Sequence, residues 1–212
     1  MLEVQALSCQ VLHRVTLHVA SGEVVAVLGA AGAGKTTLLR ALSGLDPCCS
    51  GQVRFAGSDL QGVDHAGIVR AGLLHVPQGG RLFQGLTARD NLLLGATVRG
   101  RMQRQATLAQ VLEVMPLLRD RLHRRAGTLD GLSRQVLAIG RALMARPSLL
   151  MLDDPVATLA TDDAESVLQL IAWLGATGLP ILLAARPDPG AAALANRRYI
   201  LEQGRATLEG AR

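Results

Sequence analysis

The chain has 212 residues, of which 49% are hydrophobic and 18% are charged. This composition excludes a disordered or collagen-like chain, and the length suits one substantial domain that buries roughly 70% of the surface exposed by its unfolded form. The formal charge of +5 is too small to demand a nucleic-acid partner, and the 2% of aromatic residues is too few for base-stacking surfaces. We therefore expect a globular protein that does not bind nucleic acid.

Short apolar runs and amphipathic stretches alternate along the chain. In chain order they predict strands at Leu2–Leu7, Val15–Val19 and Val24–Leu28, a helix at Thr36–Leu42, a strand at Gln52–Phe55, a turn at Gly57–Asp59, a strand at Leu73–Val76, helices at Thr87–Leu94, Thr107–Met115 and Ser133–Ala145, a strand at Leu149–Leu152, a helix at Thr161–Leu174, a strand at Ile181–Ala185, and a hairpin with strands at Tyr199–Leu201 and Ala206–Leu208. Apolar strands that alternate with helices are typical of an α/β fold with a mainly parallel sheet.

One segment differs from the rest in charge. Residues 99–146 contain ten arginines and three acidic residues and have a helical pattern. We interpret about residues 79–146 as a helical subdomain inserted into the sheet, with 1–78 and 147–212 forming the core of a single domain. The basic face fits an ordinary solvated helix surface, and it also fits a surface turned toward phosphates or anionic lipid.

The sequence shows no pattern typical of a secreted or membrane-spanning chain. The N-terminus lacks the basic and then apolar layout of a signal peptide. The most apolar stretch, Ile171–Ala185, is interrupted by glycines and a proline and is shorter than the ~18 residues that a membrane helix needs. Cys9, Cys48 and Cys49 lack metal-ligand spacing, so we interpret them as reduced thiols. These features predict a cytosolic protein, or one held at a membrane by another subunit.

Only one of the 22 basic residues is a lysine, Lys35. This usage suggests a position at which a compact ammonium is needed rather than a planar guanidinium. Lys35 lies in a segment, residues 29–36, that fits the P-loop pattern G-x-x-x-x-G-K-[ST] between a predicted buried strand and a predicted helix. We predict that a nucleoside triphosphate binds to Gly29, Ala30, Ala31, Gly32, Ala33, Gly34, Lys35, Thr36 and Thr37.

Each part of the P-loop has a physical role. Glycines allow backbone N–H groups to close around phosphate oxygens, and the helix N-terminus adds the positive end of a dipole. Lys35 supplies a point charge for the β- and γ-phosphates, and the Thr36 hydroxyl is a ligand for Mg²⁺. The alternative is a glycine-rich turn that binds nothing, which the strand, the helix and the single lysine all disfavour.

Two aspartates follow the predicted strand Leu149–Leu152. A P-loop protein needs an acidic residue at the end of a second strand to hold the metal ion, and Asp153 fits that role. Asp154 would then orient or deprotonate the attacking water. Two aspartates before a proline also form an ordinary turn, an alternative that the P-loop makes weaker.

Several segments follow one another in an order known from one family. They are Gly29–Thr37, Val69–Gly72, His75–Gly79, Asp90–Gly95, Ala138–Met144 and Leu201–Arg205. Their order resembles that of the nucleotide-binding subunits of ABC transporters, and most of all the branch that imports branched-chain amino acids and urea. The resemblance extends over nearly the whole chain.

The resemblance implies a P-loop NTPase core of ABC type with a mainly parallel sheet, a small N-terminal antiparallel β part and an inserted helical subdomain. It implies ATP and Mg²⁺ as cofactors, with Thr36, Asp153 and Gln78 holding the metal and Gln78 also touching the attacking water. It implies integral-membrane permease subunits and a second ATP-binding subunit as partners, arranged so that each nucleotide lies between one chain's P-loop and the other chain's signature sequence. The protein would then be cytoplasmic and peripheral on the inner face of the cell membrane.

The sequence departs from the family pattern at that signature. The family's L-S-G-G-[EQ] falls on Leu129–Ser133, where Asp130 replaces the serine and Leu132 replaces a glycine. A carboxylate that faces phosphate is costly, because two like charges about 4 Å apart repel by about 4 kcal/mol at an effective dielectric constant of about 20. A gapped alignment that begins the signature at Leu132 recovers the serine and loses both glycines.

Further departures concern the residues for hydrolysis and the binding of the adenine ring. Asp154 stands where the family has a glutamate, and a misplacement of about 1 Å costs on the order of a hundredfold in rate. Arg186 stands at the family's switch position; arginine cannot act as a general base, although it can pair with the γ-phosphate. The segment after Leu7 is short and lacks an aromatic residue for adenine to stack on, which forfeits roughly 1–3 kcal/mol.

Two hypotheses remain open. In the first, the chain is the ATP-binding subunit of an ABC importer, which hydrolyses Mg²⁺·ATP slowly to drive the import of a small solute such as branched-chain amino acids, with Asp154, Gln78 and Arg186 as catalytic residues. In the second, it is a catalytically impaired regulatory subunit of a heteromeric ABC complex. A stand-alone ABC ATPase acting on DNA or ribosomes is disfavoured by the chain length, and a small GTPase by the lack of an Asn-Lys-x-Asp motif.

Overall fold

The computed structural model describes residues 1–46, 50–96 and 101–211. Cys48, Cys49 and Arg99, which enter the predictions above, lie outside these residues. The strands are β1 (Leu2–Cys9), β2 (Leu12–Val19), β3 (Val24–Leu28), β4 (Ser50–Phe55), β5 (Ser58–Asp59), β6 (Leu73–Val76), β7 (Leu149–Asp153), β8 (Ile181–Ala185), β9 (Arg197–Glu202) and β10 (Arg205–Ala211). The helices are α1 (Lys35–Leu42), α2 (His65–Arg70), α3 (Ala88–Gly95), α4 (Arg101–Val114), α5 (Gly131–Leu143), α6 (Thr161–Ala176) and α7 (Pro189–Leu194).

The strands form two sheets. The N-terminal sheet is antiparallel, in the order β2-β1-β4-β5. The larger sheet has the order β10-β9-β3-β8-β7-β6, and its strands are parallel except for the edge strand β10. The predicted α/β class, with a mainly parallel sheet and a small antiparallel β part, is therefore confirmed.

Strand β3 shows why the larger sheet is covered on both faces. All five of its residues are buried. Val24, Ala26 and Leu28 belong to the apolar core that includes α5 and α6, whereas Val25 and Val27 belong to the core shared with α1 and the N-terminal sheet. A continuous apolar run is what a strand between two cores requires, because successive side chains point to opposite faces.

Between β6 and β7 the regular elements of the described residues are helical. Besides α3, α4 and α5 they include two short 3-10 helices, Pro116–Arg121 and Ala126–Thr128. Helix α3 begins with a reciprocal cap, since the Thr87 hydroxyl accepts from the Asp90 N–H at 3.1 Å and donates to the Asp90 carboxylate at 2.6 Å. No helix among the described residues is long and apolar enough to span a membrane.

Some local predictions were wrong. Ser58–Asp59 pairs with β4 as a short strand instead of forming only a turn, and α4 begins at Arg101 instead of Thr107. The sequence predicted a terminal hairpin but not that β9 joins the core beside β3, because that pairing is a long-range contact. Helices α2 and α7 were missed, since six residues are too few to show a helical period.

Candidate nucleotide-binding site

The P-loop connects β3 to α1, as the sequence predicts. Its backbone needs glycine at two places: Gly34, which precedes α1, has a φ of 106°, and Gly32 has a φ of 80°. Gly29 is needed for space, because a Cβ there would lie 2.4 Å from the carbonyl oxygen of Leu201. Helix α1 has no side-chain cap at its N-terminus, so its N–H groups remain available to an anion.

Lys35 is buried in this loop. Its Nζ donates to the carbonyl oxygens of Gly29 at 2.6 Å and Ala30 at 3.0 Å. Burial lowers the pKa of Lys35, while the carboxylates of Asp154 and Asp153 act in the opposite direction. The ammonium therefore lies inside the loop between carbonyl groups and two nearby acids, where it is placed to meet phosphate oxygens.

Asp153 ends β7 and is 2% exposed. Its Oδ1 accepts from the Thr36 hydroxyl at 3.1 Å, whereas its Oδ2 is buried and has no hydrogen-bond partner. Burial is the main cause that raises the pKa of Asp153. A buried carboxylate oxygen without a partner beside a threonine hydroxyl fits the all-oxygen ligand set of Mg²⁺, so these residues fit the metal that the family implies.

Gln78, the third predicted metal ligand, lines the same cavity as Thr36 and Asp153. A cavity of about 650 Å³ is lined by Thr36, Gln78 and Asp153 together with Arg40, Leu45, His65, His75, Pro77, Gly79, Arg81 and Thr158. Burial, with smaller contributions from the charges of His65 and Arg40, lowers the pKa of His75 to about 4. The sequence assigned no role to His65, which lies in no recognisable motif, or to His75, which only begins the segment His75–Gly79.

The remaining P-loop residues line a second, more open cavity. Gly29, Ala30, Ala31, Gly32 and Ala33 face it, and its volume is about 970 Å³. Its other wall is formed by the terminal hairpin and by the residue that follows the switch position. That wall comprises Pro187, Ile200, Leu201, Glu202, Gln203, Arg205, Thr207, Leu208 and Glu209. Thr37, one position into α1 beyond Thr36, is half-buried.

Asp154 and Arg186 face each other at the ends of neighbouring parallel strands. Asp154 follows β7 with a φ of 46°, and its N–H donates to the carbonyl of Ala184 in β8 at 2.7 Å. Its Oδ2 lies 3.5 Å from Nε of Arg186. The Asp154 side chain is 11% exposed and that of Arg186 is 59% exposed. Two of the three residues that the sequence assigned to hydrolysis therefore form an ion pair.

The signature segment, Leu129–Ser133, starts helix α5. Asp130 is the N-cap residue: its Oδ1 accepts from the N–H of Ser133 at 2.7 Å, and its Oδ2 accepts from the Ser133 hydroxyl at 3.0 Å. Ser133 is fully buried, so its hydroxyl does not face a phosphate, which argues against the gapped alignment. The cavity lined by Thr36 and Asp153 includes no residue of this segment.

The fold and the site define a P-loop nucleotide-binding protein. The chain matches the family described as ABC transporter over residues 12–157. It is 40% identical over 199 residues to the high-affinity branched-chain amino acid transport ATP-binding protein BraG of Pseudomonas aeruginosa, covering 94% of this chain and 85% of that protein. It is 32% identical over 201 residues to the probable branched-chain amino acid transport ATP-binding protein LivF of Archaeoglobus fulgidus, with 94% and 85% covered.

The structural comparison agrees. A nucleotide-free ATP-binding cassette from an ABC transporter superposes with a TM-score of 0.89 at 23% identity, covering 100% of this chain and 91% of the other. A dimeric ATP-binding cassette bound to ADP and Pi superposes with a TM-score of 0.88 at 23% identity, covering 100% of this chain and 99% of the other. This chain belongs to the ABC transporter family, as an ATP-binding subunit of that ATPase family, and the resemblance noted in the sequence is confirmed.

Proposed function

We propose that this chain binds Mg²⁺·ATP and hydrolyses it to drive the import of a small solute such as a branched-chain amino acid. The observation that carries the nucleotide site is the cluster of Lys35, Thr36 and Asp153 at the junction of β3, α1 and β7. The solute class rests on the names of the relatives that are 40% and 32% identical to the chain.

The binding roles follow from the atoms that each residue offers. Backbone N–H groups of residues 29–37 and the Lys35 ammonium bind the phosphate oxygens. Thr36 Oγ1, Asp153 Oδ2 and the Gln78 side-chain oxygen would hold Mg²⁺. When bound, Mg²⁺ neutralises charge on the β- and γ-phosphate oxygens.

For hydrolysis, Asp154 accepts a proton from the attacking water at a carboxylate oxygen, and Gln78 orients that water. Arg186 lies within reach of Asp154 and is largely exposed, so it is free to turn toward a γ-phosphate as a charge-assisted donor. Arginine does not accept the proton itself, because its guanidinium stays charged.

The partners follow from the same proposal. The chain would pair with a second ATP-binding subunit, identical or related, and would dock on integral-membrane permease subunits at the cytoplasmic face of the cell membrane. Residues 79–146 would form the subdomain that contacts the permease, with 1–78 and 147–212 as the nucleotide-binding core. The dimeric cassette among the similar structures supports pairing as a property of this fold.

A second candidate function has its own support. Asp130, which replaces the serine of the family's signature, is bonded to Ser133, and Asp154, which stands in place of the family's glutamate, is paired with Arg186 within the chain. A subunit that binds ATP to regulate a heteromeric complex, with little turnover of its own, would have these features.

The test of nucleotide binding is calorimetric titration of the full chain with Mg²⁺·ATP. We expect Lys35→Ala to weaken binding by at least about a hundredfold, because it removes a buried charge together with its charge-assisted bonds to phosphate. Arg70→Ala is the matched control, since Arg70 is a largely exposed cation on α2 whose nearest acidic partner is Asp64 at 3.9 Å. A wild-type chain that takes up no nucleotide contradicts the proposal.

A further inference from the structure

The loop that carries Gln78 has two short backbone hydrogen bonds of its own, from the Gly80 N–H to the carbonyl oxygen of Pro77 and from the Arg81 N–H to that of Gly79, both at 2.9 Å. It leaves β6 at Val76 and passes through Gly79 and Gly80, whose φ angles are 72° and 69°, and then through Arg81 with a φ of 40°. Glycine adopts many backbone conformations at similar free energy, so the two glycines that follow Gln78 add little rigidity to this turn. The internal bonds shape the turn but do not attach it to the helices beside it, so contacts from those helices add to its order.

Arg141 of helix α5 makes that contact. Its Nη2 donates to the carbonyl oxygen of Gly80 at 2.7 Å, and its Nη1 donates to the carbonyl oxygen of Arg81 at 3.0 Å. The guanidinium carbon also lies 6.0 Å from the centre of the Phe83 ring. Because the guanidinium is planar with fixed donor directions, two bonds to consecutive carbonyls set the position and the orientation of the loop backbone.

The packing around Arg141 holds the same loop. A Cβ on Gly80 would lie 2.6 Å from Cβ of Ala138, so the loop backbone passes directly against α5. The fully buried Asn91 of α3 accepts from the N–H of Phe83 at 3.0 Å and donates to its carbonyl at 3.1 Å. The loop is thus attached to the core sheet at its start and to two helices at its end.

We propose that Arg141 is a positioning residue, which fixes Gln78 beside Thr36 and Asp153 and so sets the affinity of the site for Mg²⁺. This inference rests on the proposed function, since it requires Mg²⁺·ATP in that cavity. The reason is that a metal ligand on a mobile loop must be ordered when the metal binds, whereas a ligand already held in place loses little freedom. Losing the contacts that support a metal ligand costs on the order of 10- to 100-fold in metal affinity.

The experiment compares ATP binding to the full chain in excess Mg²⁺ and in EDTA, by calorimetry. For Arg141→Gln we expect the Mg²⁺-dependent gain in ATP affinity to fall about tenfold, while the affinity in EDTA, which reports the P-loop alone, stays within about twofold of wild type. Arg141→Lys keeps a charged donor group, so its Mg²⁺-dependent gain in ATP affinity should lie between those of the wild type and Arg141→Gln. The matched control is Arg146→Gln. In the described structure Nη2 of Arg146 donates to the exposed Gln110 side chain.

A cycle with Gln78→Ala separates positioning from general stability. If Arg141 acts through Gln78, then Gln78→Ala lowers the Mg²⁺-dependent gain in ATP affinity by a similar factor. The double variant Arg141→Gln with Gln78→Ala should then lose no more of that gain than either single variant. Equal losses with and without Mg²⁺, additive losses, or no loss in Arg141→Gln would each overturn the inference while leaving the proposed function intact. A wild-type chain that binds no ATP in either condition overturns both.

Discussion

Two ends of the candidate site differ in what their acidic groups already contact. At the P-loop end, Asp153 is 2% exposed and keeps one carboxylate oxygen without a partner. At the hydrolytic end, Asp154 lies against Arg186, and in the signature segment Asp130 is bonded to Ser133 through both oxygens. The first end therefore keeps an oxygen that fits the proposed metal, whereas at the second the acidic groups already have partners within the chain.

From this difference we expect binding and turnover to be separable by substitution in this protein. An acid with an unused oxygen gains a favourable contact when a cation arrives. An acid that is already paired must first lose its partner. An exposed ion pair contributes roughly 0–1 kcal/mol to the stability of the fold. Substitutions at the two ends should therefore change different measurements.

The largest effect is expected at Asp153. Asp153→Asn should lower the Mg²⁺-dependent part of ATP affinity by about a hundredfold, because a charged metal ligand is replaced by a neutral one. The same change should stabilise the nucleotide-free chain, because burial raises the pKa of Asp153 and makes its carboxylate unfavourable in the fold. Each kcal/mol gained in the free energy of unfolding should raise the melting temperature by roughly 2–4 °C.

Asp46→Asn is the control with the opposite sign. Asp46 accepts two hydrogen bonds from Arg40, at 2.7 and 2.8 Å, and these bonds lower the pKa of Asp46. Its substitution should lower the melting temperature and leave Mg²⁺ dependence unchanged. If Asp153→Asn destabilises the nucleotide-free chain as Asp46→Asn does, then the Asp153 carboxylate is not unfavourable in the fold.

His75, in the wall of the cavity lined by Thr36, Gln78 and Asp153, should make stability depend on pH. The pKa of His75 is lowered to about 4, so the unfolded chain, in which it is near 6.5, binds more protons between those two values. Stability should therefore fall as the pH drops below about 6.5, by about 2 kcal/mol at pH 5, and the loss should be complete below about pH 4. His75→Phe should remove this part of the acid sensitivity in urea unfolding at several pH values.

The control for that measurement is His123→Gln, which replaces an exposed histidine and so shows what the loss of a histidine outside the cavity does to the same profile. A His75→Phe profile that falls in acid as steeply as the wild type would show that His75 is not the source.

At the hydrolytic end, Asp154→Glu should raise ATP turnover by about tenfold in the first candidate function, because the longer side chain reaches a better position for the attacking water. The gain is limited by the left-handed backbone at residue 154, which glutamate tolerates less well than aspartate. The measurement is steady-state ATPase activity of the chain alone and with a second ATP-binding subunit. Turnover that stays negligible in both conditions favours the regulatory candidate.

The smallest effect is expected at the signature segment. Asp130→Ser should change the free energy of unfolding by less than about 0.5 kcal/mol, because serine and aspartate cap helices about equally well. It should also strengthen ATP-dependent dimerisation by about fivefold, since it removes a negative charge near a bound triphosphate. Sedimentation with a non-hydrolysable ATP analogue measures this, with the exposed Asp120→Ser as the control. A stability loss without any gain in dimerisation would mean that Asp130 serves only the helix.

Much of the site was predictable from local patterns. The glycines around Lys35 and the position of Asp153 after an apolar run predict phosphate-binding and metal-binding groups within short segments, because the chemistry needs neighbours in the chain. The inserted helical segment was also visible, since its arginines and helical period are local features. Strand β9 was missed as part of the core, because its pairing with β3 joins residues far apart in sequence.

The sequence alone was enough to predict which groups would meet a nucleotide: one ammonium, a threonine hydroxyl, two aspartates and a glutamine. Tertiary structure alone decided which of them remain available. The end of β8 brings Arg186 to Asp154, and α5 brings Arg141 to the carbonyls beside Gln78. Whether a charge is satisfied depends on contacts made across the fold, and no spacing along the chain encodes those contacts.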